Sequence, residues 1–125
     1  DPLAELQPVS DAETVRRMIE LVRSVHLSRE LRKYAVDLVT ATRSSNEVRL
    51  GASPRATLQL IRTARAQAAL SGREYVIPDD VHAVAIPVLT HRLVLTTEAH
   101  AARRSAADIV RMVLQRVPVP RALQH

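Results

Sequence analysis

Residues 53–72, SPRATLQLIRTARAQAALSG, decide the fold of this chain. Ser53 and Pro54 are typical of a helix start, because a serine oxygen accepts from free backbone N–H groups and a first-turn proline needs no N–H of its own. Apolar residues then recur at helical spacing, and Gly72 suits the left-handed position that ends a helix. The stretch predicts a helix over residues 54–71.

The same signals, read outward from this stretch, predict four further helices. Each begins at a residue that caps free N–H groups or at a proline, and each continues with apolar residues three and four apart. The first helix covers 11–26, with Ser10 and Glu13 as a capping box; the second covers 29–43 after Ser28, and the third covers 54–71 after Ser53. The fourth begins at Pro78, with Asp79 and Asp80 in its first turn. The fifth begins at residue 106, where Ser105 and Asp108 form a second capping arrangement.

Few other elements are expected. Residues 44–53 are predicted to be a loop, and Pro87 is expected to kink or end the fourth helix. Residues 75–77 are predicted to form a very short strand that pairs with residues 92–96, as a two-stranded accessory. The prolines at 117–120 should stop the last helix. The predicted fold is all-α, a small bundle of about five helices with this accessory.

Composition supports that fold class and excludes several others. A length of 125 residues suits one domain. With two glycines and no cysteine, tryptophan or phenylalanine, the chain has few tight turns and no disulfide or thiolate site. No apolar run approaches the roughly 20 residues that span a bilayer, and residues 1–13 are polar and acidic rather than signal-like, so we expect a cytoplasmic protein without membrane insertion.

The formal net charge is +5, and the excess lies in residues 51–125, which hold ten basic and five acidic side chains. Such an excess is typical of nucleic-acid binding, of bound phosphate, or of a solvated face. The scarcity of stacking aromatics and of a base-reading helix counts against nucleic acid. An arginine-rich nucleic-acid-binding module and a plain helical protein-interaction module remain the alternative interpretations.

No catalytic or metal motif is complete in the sequence. There is no G-x-x-x-x-G-K-[ST] loop to hold a triphosphate, and no H-E-x-x-H. The five histidines, at 26, 82, 91, 100 and 125, are scattered, so we predict no metal site.

Arg55 is the strongest candidate for a functional residue. It falls in the first turn of the third helix, where free N–H groups and the helix dipole favour anions. A guanidinium opposes that dipole, but its forked donors fit phosphate oxygens. This placement favours phosphate binding. The alternatives are an exposed surface arginine or one paired with Glu47 or Asp79.

Two motifs around the third helix resemble those of a known family. GASPR at 51–55, followed by GREYVIPDDV at 72–81, resembles the lid of the MoxR family of AAA+ ATPases. The similarity extends to LRKYAVDLVTATR at 31–43 and SAADIVRMVLQRVPVP at 105–120. The resemblance implies that Arg55 is the sensor 2 arginine, which reaches the γ-phosphate of ATP on a neighbouring core domain, with Ser53 and Pro54 beside it.

The resemblance also implies what lies outside this sequence. The Walker A, Walker B, sensor 1 and arginine-finger motifs of the family precede this region, so ATP and Mg²⁺ are expected on the core domain. Hydrolysis is expected in the parent ATPase and not in this chain alone. Expected partners are that core domain, further copies in a homo-oligomeric ring and a von Willebrand A domain protein, with a chaperone-like role in maturing or remodelling complexes.

Some positions receive a weaker interpretation from the resemblance. Residues 1–125 form one lid domain, with 1–9 as an interdomain linker and 117–125 as an extended tail. Tyr34 is either an edge of the adenine pocket or, as we favour, a core tyrosine with a bonded hydroxyl. His91 and Arg92 match a common H-R pair to which we assign no chemistry. Ile77 stands where relatives often have a serine or threonine cap.

Overall fold

The structure is a computed structural model that describes residues 2–121. It contains six α-helices and one two-stranded antiparallel sheet within that range. The elements are α1 (Ala12–Ser24), α2 (Arg29–Ser44), β1 (Val48–Leu50), α3 (Arg55–Leu70), α4 (Pro78–Leu89), β2 (Val94–Leu95), α5 (Thr97–Ala101) and α6 (Ala106–Arg116), with 3₁₀ turns at Pro2–Glu5 and Thr90–Arg92. The predicted all-α fold with a small accessory sheet is confirmed.

The core lies among α2, α3, α4 and α6, and the most extensive helix contact is that of α3 with α4. Three alanines of α3 and one of α4 are fully buried, so these two backbones approach closely; they are Ala56, Ala64, Ala68 and Ala85. Leucine, isoleucine and valine side chains fill the remaining space, and Tyr34 is the single aromatic side chain of this core among the described residues. Close packing of small aliphatic side chains therefore replaces the usual aromatic centre.

One strand of the sheet forms where predicted and the other does not: β2 lies within residues 92–96, but its partner is β1 and not residues 75–77. Val48 of β1 faces Leu95 of β2, and Leu50 faces Val94. The predicted loop at 44–53 thus contains a strand. Residues 75–77 pair instead with His26 through one parallel bridge, in which Val76 N–H donates to the His26 carbonyl at 2.9 Å.

The first helix begins differently from its predicted capping box. Asp11 is the N-cap, and its carboxylate accepts from Thr14 N–H at 2.7 Å. Glu13 instead forms surface ion pairs with Arg16 and Arg17. A carboxylate at the positive end of a helix binds an N–H group more strongly than a hydroxyl does, so Asp11 displaces Ser10 from that role.

Helix α3 begins at Arg55 and not at Pro54, and the predicted Ser53 side-chain cap is absent. The first turn closes through its own backbone, with Ala56 N–H donating to the Ser53 carbonyl and Thr57 N–H to the Pro54 carbonyl. These amides therefore already have acceptors. At the other end, Gly72 has φ +79°, which confirms the predicted left-handed position.

Helix α4 continues through Pro87 to Leu89, so the prediction that the helix could end at Pro87 is wrong. Proline removes one backbone hydrogen bond. Burial of Val84, Ala85 and Leu89 against the core outweighs that loss. Leu89 lies half a turn beyond Pro87, so the helix buries it only by continuing past the proline.

Two capping predictions are confirmed and one short helix was missed. Ser28 accepts from Leu31 N–H at the start of α2, and Ser105 and Asp108 exchange hydrogen bonds at the start of α6. The missed helix is α5, whose N-cap Thr96 accepts from Ala99 N–H at 3.1 Å. A five-residue helix has too little apolar periodicity to stand out in a sequence.

The described residues near both ends of the chain add little to the core. Residues 2–11 are exposed, and α6 ends at Arg116, before the first proline of 117–120. Residues 122–125 of the predicted tail lie outside the described residues. Within residues 2–121, no helix combines the length and apolar character needed to cross a membrane.

Candidate functional site

Arg55 is the first residue of α3, and its side chain is exposed. Within residues 2–121 its guanidinium has no hydrogen bond and no ion pair. Glu47, one of the partners considered from the sequence, binds Arg104 instead, and Asp79 forms no ion pair with Arg55. None of the guanidinium's donors is therefore engaged by another group of residues 2–121.

The helix end beside Arg55 has the electrostatics of an anion site. No acidic side chain lies in the first turn of α3, and no side chain accepts from its N–H groups. The amides of Ala56 and Thr57 bond to backbone carbonyls, but no carboxylate offsets the positive end of the helix dipole next to Arg55. Ser53 and Pro54 are exposed at the same end, next to Arg55. An incoming phosphate would meet a helix terminus and a forked cation together.

The segment that leads to Arg55 is fixed at Ala52 by two side chains from the last turn of α2. Ala52 N–H donates to Thr42 Oγ1 at 3.1 Å, and Arg43 Nη1 donates to the Ala52 carbonyl at 3.1 Å. Both backbone hydrogen-bonding groups of Ala52 are therefore occupied. We call Thr42, Arg43 and Ala52 the α2–α3 clamp.

Gly51 permits the close approach that the clamp requires. A Cβ atom at this position would lie 2.6 Å from Arg43 Cγ, 2.8 Å from Arg43 Cα and 2.9 Å from Arg43 N. Two of these atoms belong to the backbone of α2 and cannot move aside. The glycine of GASPR is thus explained by contact with α2 and not by an unusual backbone angle.

The other end of this segment is tied to the C-terminal half of the chain. Thr96 N–H donates to the Glu47 carbonyl at 2.9 Å, next to the pairing of β1 with β2. Arg104 Nε lies 3.2 Å from both carboxylate oxygens of Glu47. Residues 47–52 are therefore held at both ends, by β2 and Arg104 on one side and by α2 on the other.

Tyr34 lies in the core and not on the surface. Its side chain is 2% exposed, and its hydroxyl is 2.6 Å from His82 Nε2. Burial raises the pKa of the Tyr34 hydroxyl. This environment agrees with the core interpretation of Tyr34, and the ring offers almost no surface to a base in this conformation.

His91 and Arg92 lie in the 3₁₀ turn after α4. Arg92 Nε donates to the Val88 carbonyl at 3.1 Å, one turn back, whereas His91 is exposed. Arg92 thus binds one carbonyl in the last turn of α4. No contact of either side chain with Arg55 is found in residues 2–121.

The one deeply buried charge belongs to the joint between α3 and α4, within the described residues. Asp80 is 2% exposed, accepts from Ile77 N–H at 2.8 Å and forms an ion pair with Arg73. The carboxylate therefore supplies the N-terminal cap of α4 for which Ile77 has no side-chain group. In the described range, histidine, aspartate and glutamate side chains form no group of three or more able to hold a metal ion.

Sequence reasoning proposed Arg55, Ser53 and Pro54 as site residues and did not consider the α2–α3 clamp. The signal was present, since a threonine and an arginine stand in TATR at the end of α2, ten and nine residues before Ala52. Polar side chains at a helix end can bond to many backbone groups, so nothing in the local sequence indicates the backbone of Ala52 as their partner.

Comparisons with known proteins identify relatives of this arrangement. Residues 40–113 match the family model of the AAA lid domain. The chain is 37% identical over 119 residues to the protein named Uncharacterized protein YeaC of Bacillus subtilis, which covers 95% of this chain and 37% of that protein. It is 41% identical over 113 residues to Chaperone MoxR1 of Mycobacterium tuberculosis, with 83% of this chain and 30% of that protein covered.

A solved structure has the same fold. The crystal structure of a candidate ATPase from Cytophaga hutchinsonii superposes with a TM-score of 0.77 at 33% sequence identity, covering 86% of this chain and 34% of that one. The chain thus spans about a third of the length of these relatives.

Proposed function

Since this chain belongs to the AAA lid domain family, we propose that it is the nucleotide-sensing lid of a MoxR-type AAA+ ATPase. The single observation that carries the proposal is the state of Arg55. This side chain is exposed at the start of α3, which no side chain caps, and no group in residues 2–121 accepts its hydrogen bonds. The preceding segment, residues 51–54, is held by α2 through Ala52. An arginine whose backbone is held in place and whose guanidinium has no partner is suited to contact a phosphate bound by another domain.

The chain's own chemistry fits a nucleotide phosphate in two ways. The guanidinium of Arg55 supplies parallel N–H donors, and the first turn of α3 supplies a positive dipole end without a competing carboxylate. ATP and Mg²⁺ would be bound mainly by the core domain of the parent. The lid contributes Arg55 to the γ-phosphate, with Ser53 and Pro54 forming the edge of the same contact.

Loss of the γ-phosphate would weaken the closed arrangement of lid and core. A ligand shifts a conformational equilibrium only by its differential affinity for the two states. The contact of Arg55 supplies such a difference, because it exists when the lid is closed on a triphosphate and is lost when the lid opens. Hydrolysis in the parent is thereby coupled to lid position, whereas this chain alone is expected to be inactive.

The wider role belongs to the same proposal. The parent assembles as a homo-oligomeric ring, acts in the cytoplasm and remodels or matures partner complexes, with a von Willebrand A domain protein as one partner class. These expectations rest on the family resemblance and not on particular residues of the lid. Nucleic-acid binding remains the alternative, and steep salt dependence of DNA binding would favour it.

The test is ATP hydrolysis by the full-length parent protein carrying Arg55→Ala. Removal of one preorganised donor to a reacting group costs about a hundredfold in kcat, and we expect a fall of about that size with ATP binding retained. Arg62→Ala is the matched control. Arg62 is exposed on the same helix two turns later, about 10 Å along its axis and on nearly the same face.

The control separates contact from general charge. A fall in kcat for Arg55→Ala but not for Arg62→Ala supports a specific contact with the nucleotide. An equal fall in both variants indicates a long-range effect of positive charge, and it would disappear at high salt. Unchanged turnover in Arg55→Ala, with the fold intact by circular dichroism, would show that Arg55 is only a surface charge and would refute the proposal.

A further inference from the structure

We propose that Thr42 and Arg43 are positioning residues that set the direction of Arg55 through the backbone of Ala52. This inference rests on the proposed function of Arg55 and extends it to residues that contact no nucleotide. Its basis is the α2–α3 clamp, in which consecutive side chains of α2 occupy both hydrogen-bonding groups of a single peptide residue.

Thr42 is the inner half of the clamp. Its side chain is 0% exposed, and its hydroxyl donates to the Val39 carbonyl at 2.6 Å while accepting from Ala52 N–H at 3.1 Å. The hydroxyl therefore has one donor and one acceptor partner in fixed directions. An ordinary helix threonine needs only the first of these bonds, as Thr63 shows by donating to the Gln59 carbonyl at 2.7 Å. The bond to Ala52 is the additional feature.

Arg43 is the outer half of the clamp. Its Nη1 donates to the Ala52 carbonyl at 3.1 Å, and its Nη2 lies 3.4 Å from Thr40 Oγ1. The aliphatic stem of Arg43 packs on Gly51, where no Cβ would fit. Thr42 thus binds the N–H of Ala52, and Arg43 binds its carbonyl. The preceding residue, Gly51, is in contact with α2.

The connection from Ala52 to Arg55 is short and stiff. Only Ser53 and Pro54 lie between them, and proline has a fixed φ angle, here −56°. A rotation at Ala52 would therefore carry the first turn of α3 and the side chain of Arg55 with it. Since the Arg55 side chain has no partner within residues 2–121, its approach direction depends on how its backbone is held, by the buried Ala56 on one side and by the clamp on the other.

The experiment measures ATP hydrolysis by the full-length parent with Thr42→Val, which keeps the side-chain shape and removes the hydroxyl. We expect kcat to fall about tenfold, equivalent to about 1.4 kcal/mol of transition-state stabilisation, with little change in KM. Thr42→Ser restores the hydroxyl and should recover most of the turnover. Thr63→Val is the matched control, because it loses a hydroxyl that bonds only within its own helix.

A double variant distinguishes positioning from general damage to the lid. If Thr42 acts through Arg55, adding Thr42→Val to Arg55→Ala should lower kcat by less than about twofold further. Full multiplication of the two losses would overturn the inference, as would turnover in Thr42→Val equal to that of Thr63→Val. Should Arg55→Ala itself leave turnover unchanged, the proposed function fails first, and this inference fails with it.

Arg43→Met keeps the test decisive if Thr42→Val does not fold. Arg43 is exposed, and methionine preserves the stem that contacts Gly51 while removing the bond to the Ala52 carbonyl. We expect the same pattern with a smaller fall in kcat, of about threefold, and the same lack of further effect on the Arg55→Ala background. Wild-type turnover in a folded Arg43→Met variant would refute the part of the inference that concerns Arg43.

Discussion

Helices α1 and α3 both have amphipathic sequences but lie in different surroundings. In α3, five residues are buried, among them Leu60 and Ile61, and the helix contacts α1, α2 and α4. In α1, no residue is buried, and its apolar side chains remain largely open to solvent, as at Val15, Met18 and Ile19. A periodic apolar stripe therefore predicts a helix and its inward face, but not whether another element of the same chain covers that face.

The difference has a consequence for stability. Apolar burial is the main favourable term in folding, so α3 should unfold together with the whole lid, whereas α1 contributes little to that transition. The residue proposed to contact the nucleotide lies on the firmly held helix. Arg55 begins α3, and the clamp that fixes its base is formed by α2, whose face toward the core is also buried.

Truncation of one buried and one exposed apolar side chain gives the largest expected difference. Leu60 is 0% exposed, and Leu60→Ala should lower the free energy of unfolding by about 3 kcal/mol, because the substitution loses apolar burial and leaves a cavity. Met18 is 57% exposed, and Met18→Ala should cost less than about 0.5 kcal/mol. Urea unfolding of the 125-residue chain measures both. Equal losses would contradict the comparison, since they would require α1 to be packed.

The parts of the fold that sequence could predict are those with local causes. Ser28, Gly72 and the Ser105–Asp108 box act on N–H or carbonyl groups within a few residues, and their roles were predicted correctly. The family was also predicted correctly, because GASPR and the segment after Gly72 are specific in combination, and the relatives bear it out.

The parts that sequence could not predict depend on contacts far apart in the chain. Strand β1 pairs with a segment more than forty residues away, and no local property of residues 48–50 distinguishes this partner from residues 75–77. Pro87 was expected to interrupt α4, but burial of neighbouring side chains decides the outcome there. The clamp on Ala52 likewise depends on where α2 ends relative to α3, which only the folded structure reveals.

A smaller effect is expected at the turn that ends α3 and at its counterpart after α5. In both turns a left-handed residue is followed by an N–H that bonds back five residues, but the first has Gly72 and the second has Arg103 with φ +60°. No atom lies within 4 Å of a Cβ added to Gly72, so Gly72→Ala should cost about 1 kcal/mol from backbone conformation alone.

The reverse substitution tests the same physics in the opposite direction. Arg103→Gly should increase the free energy of unfolding by about 0.5 kcal/mol, because relief of left-handed strain exceeds the extra freedom of glycine in the unfolded chain. Urea unfolding of the two variants beside the wild type measures both changes. A loss of stability in Arg103→Gly would mean that its side chain makes a stabilising contribution larger than the strain.

The smallest expected effect concerns the two carboxylates that cap α1 and α6. The pH dependence of unfolding should distinguish the cap of α1 from that of the core helix α6. Hydrogen bonds from Thr14 lower the pKa of Asp11, and hydrogen bonds from Ser105 lower that of Asp108, in both cases below the ordinary value of 3.8. A carboxyl whose pKa is lower in the folded state stabilises that state above 3.8, and this contribution is lost as the pH falls through the lowered value. Both caps should therefore weaken in acid.

Only one of these caps should be visible in global unfolding. Asp108 begins α6, which buries Ile109, Val110 and Val113, so protonation of Asp108 weakens a helix of the core. Asp11 begins α1, which can fray without exposing any buried side chain. Asp108→Asn should therefore reduce the acid dependence of urea unfolding below pH 3.8, whereas Asp11→Asn should leave that dependence unchanged and lower helicity by circular dichroism slightly at neutral pH. A change of the unfolding curve in Asp11→Asn equal to that in Asp108→Asn would place α1 within the cooperative core, since a cap affects global stability only when its helix unfolds in the same step as the rest of the lid.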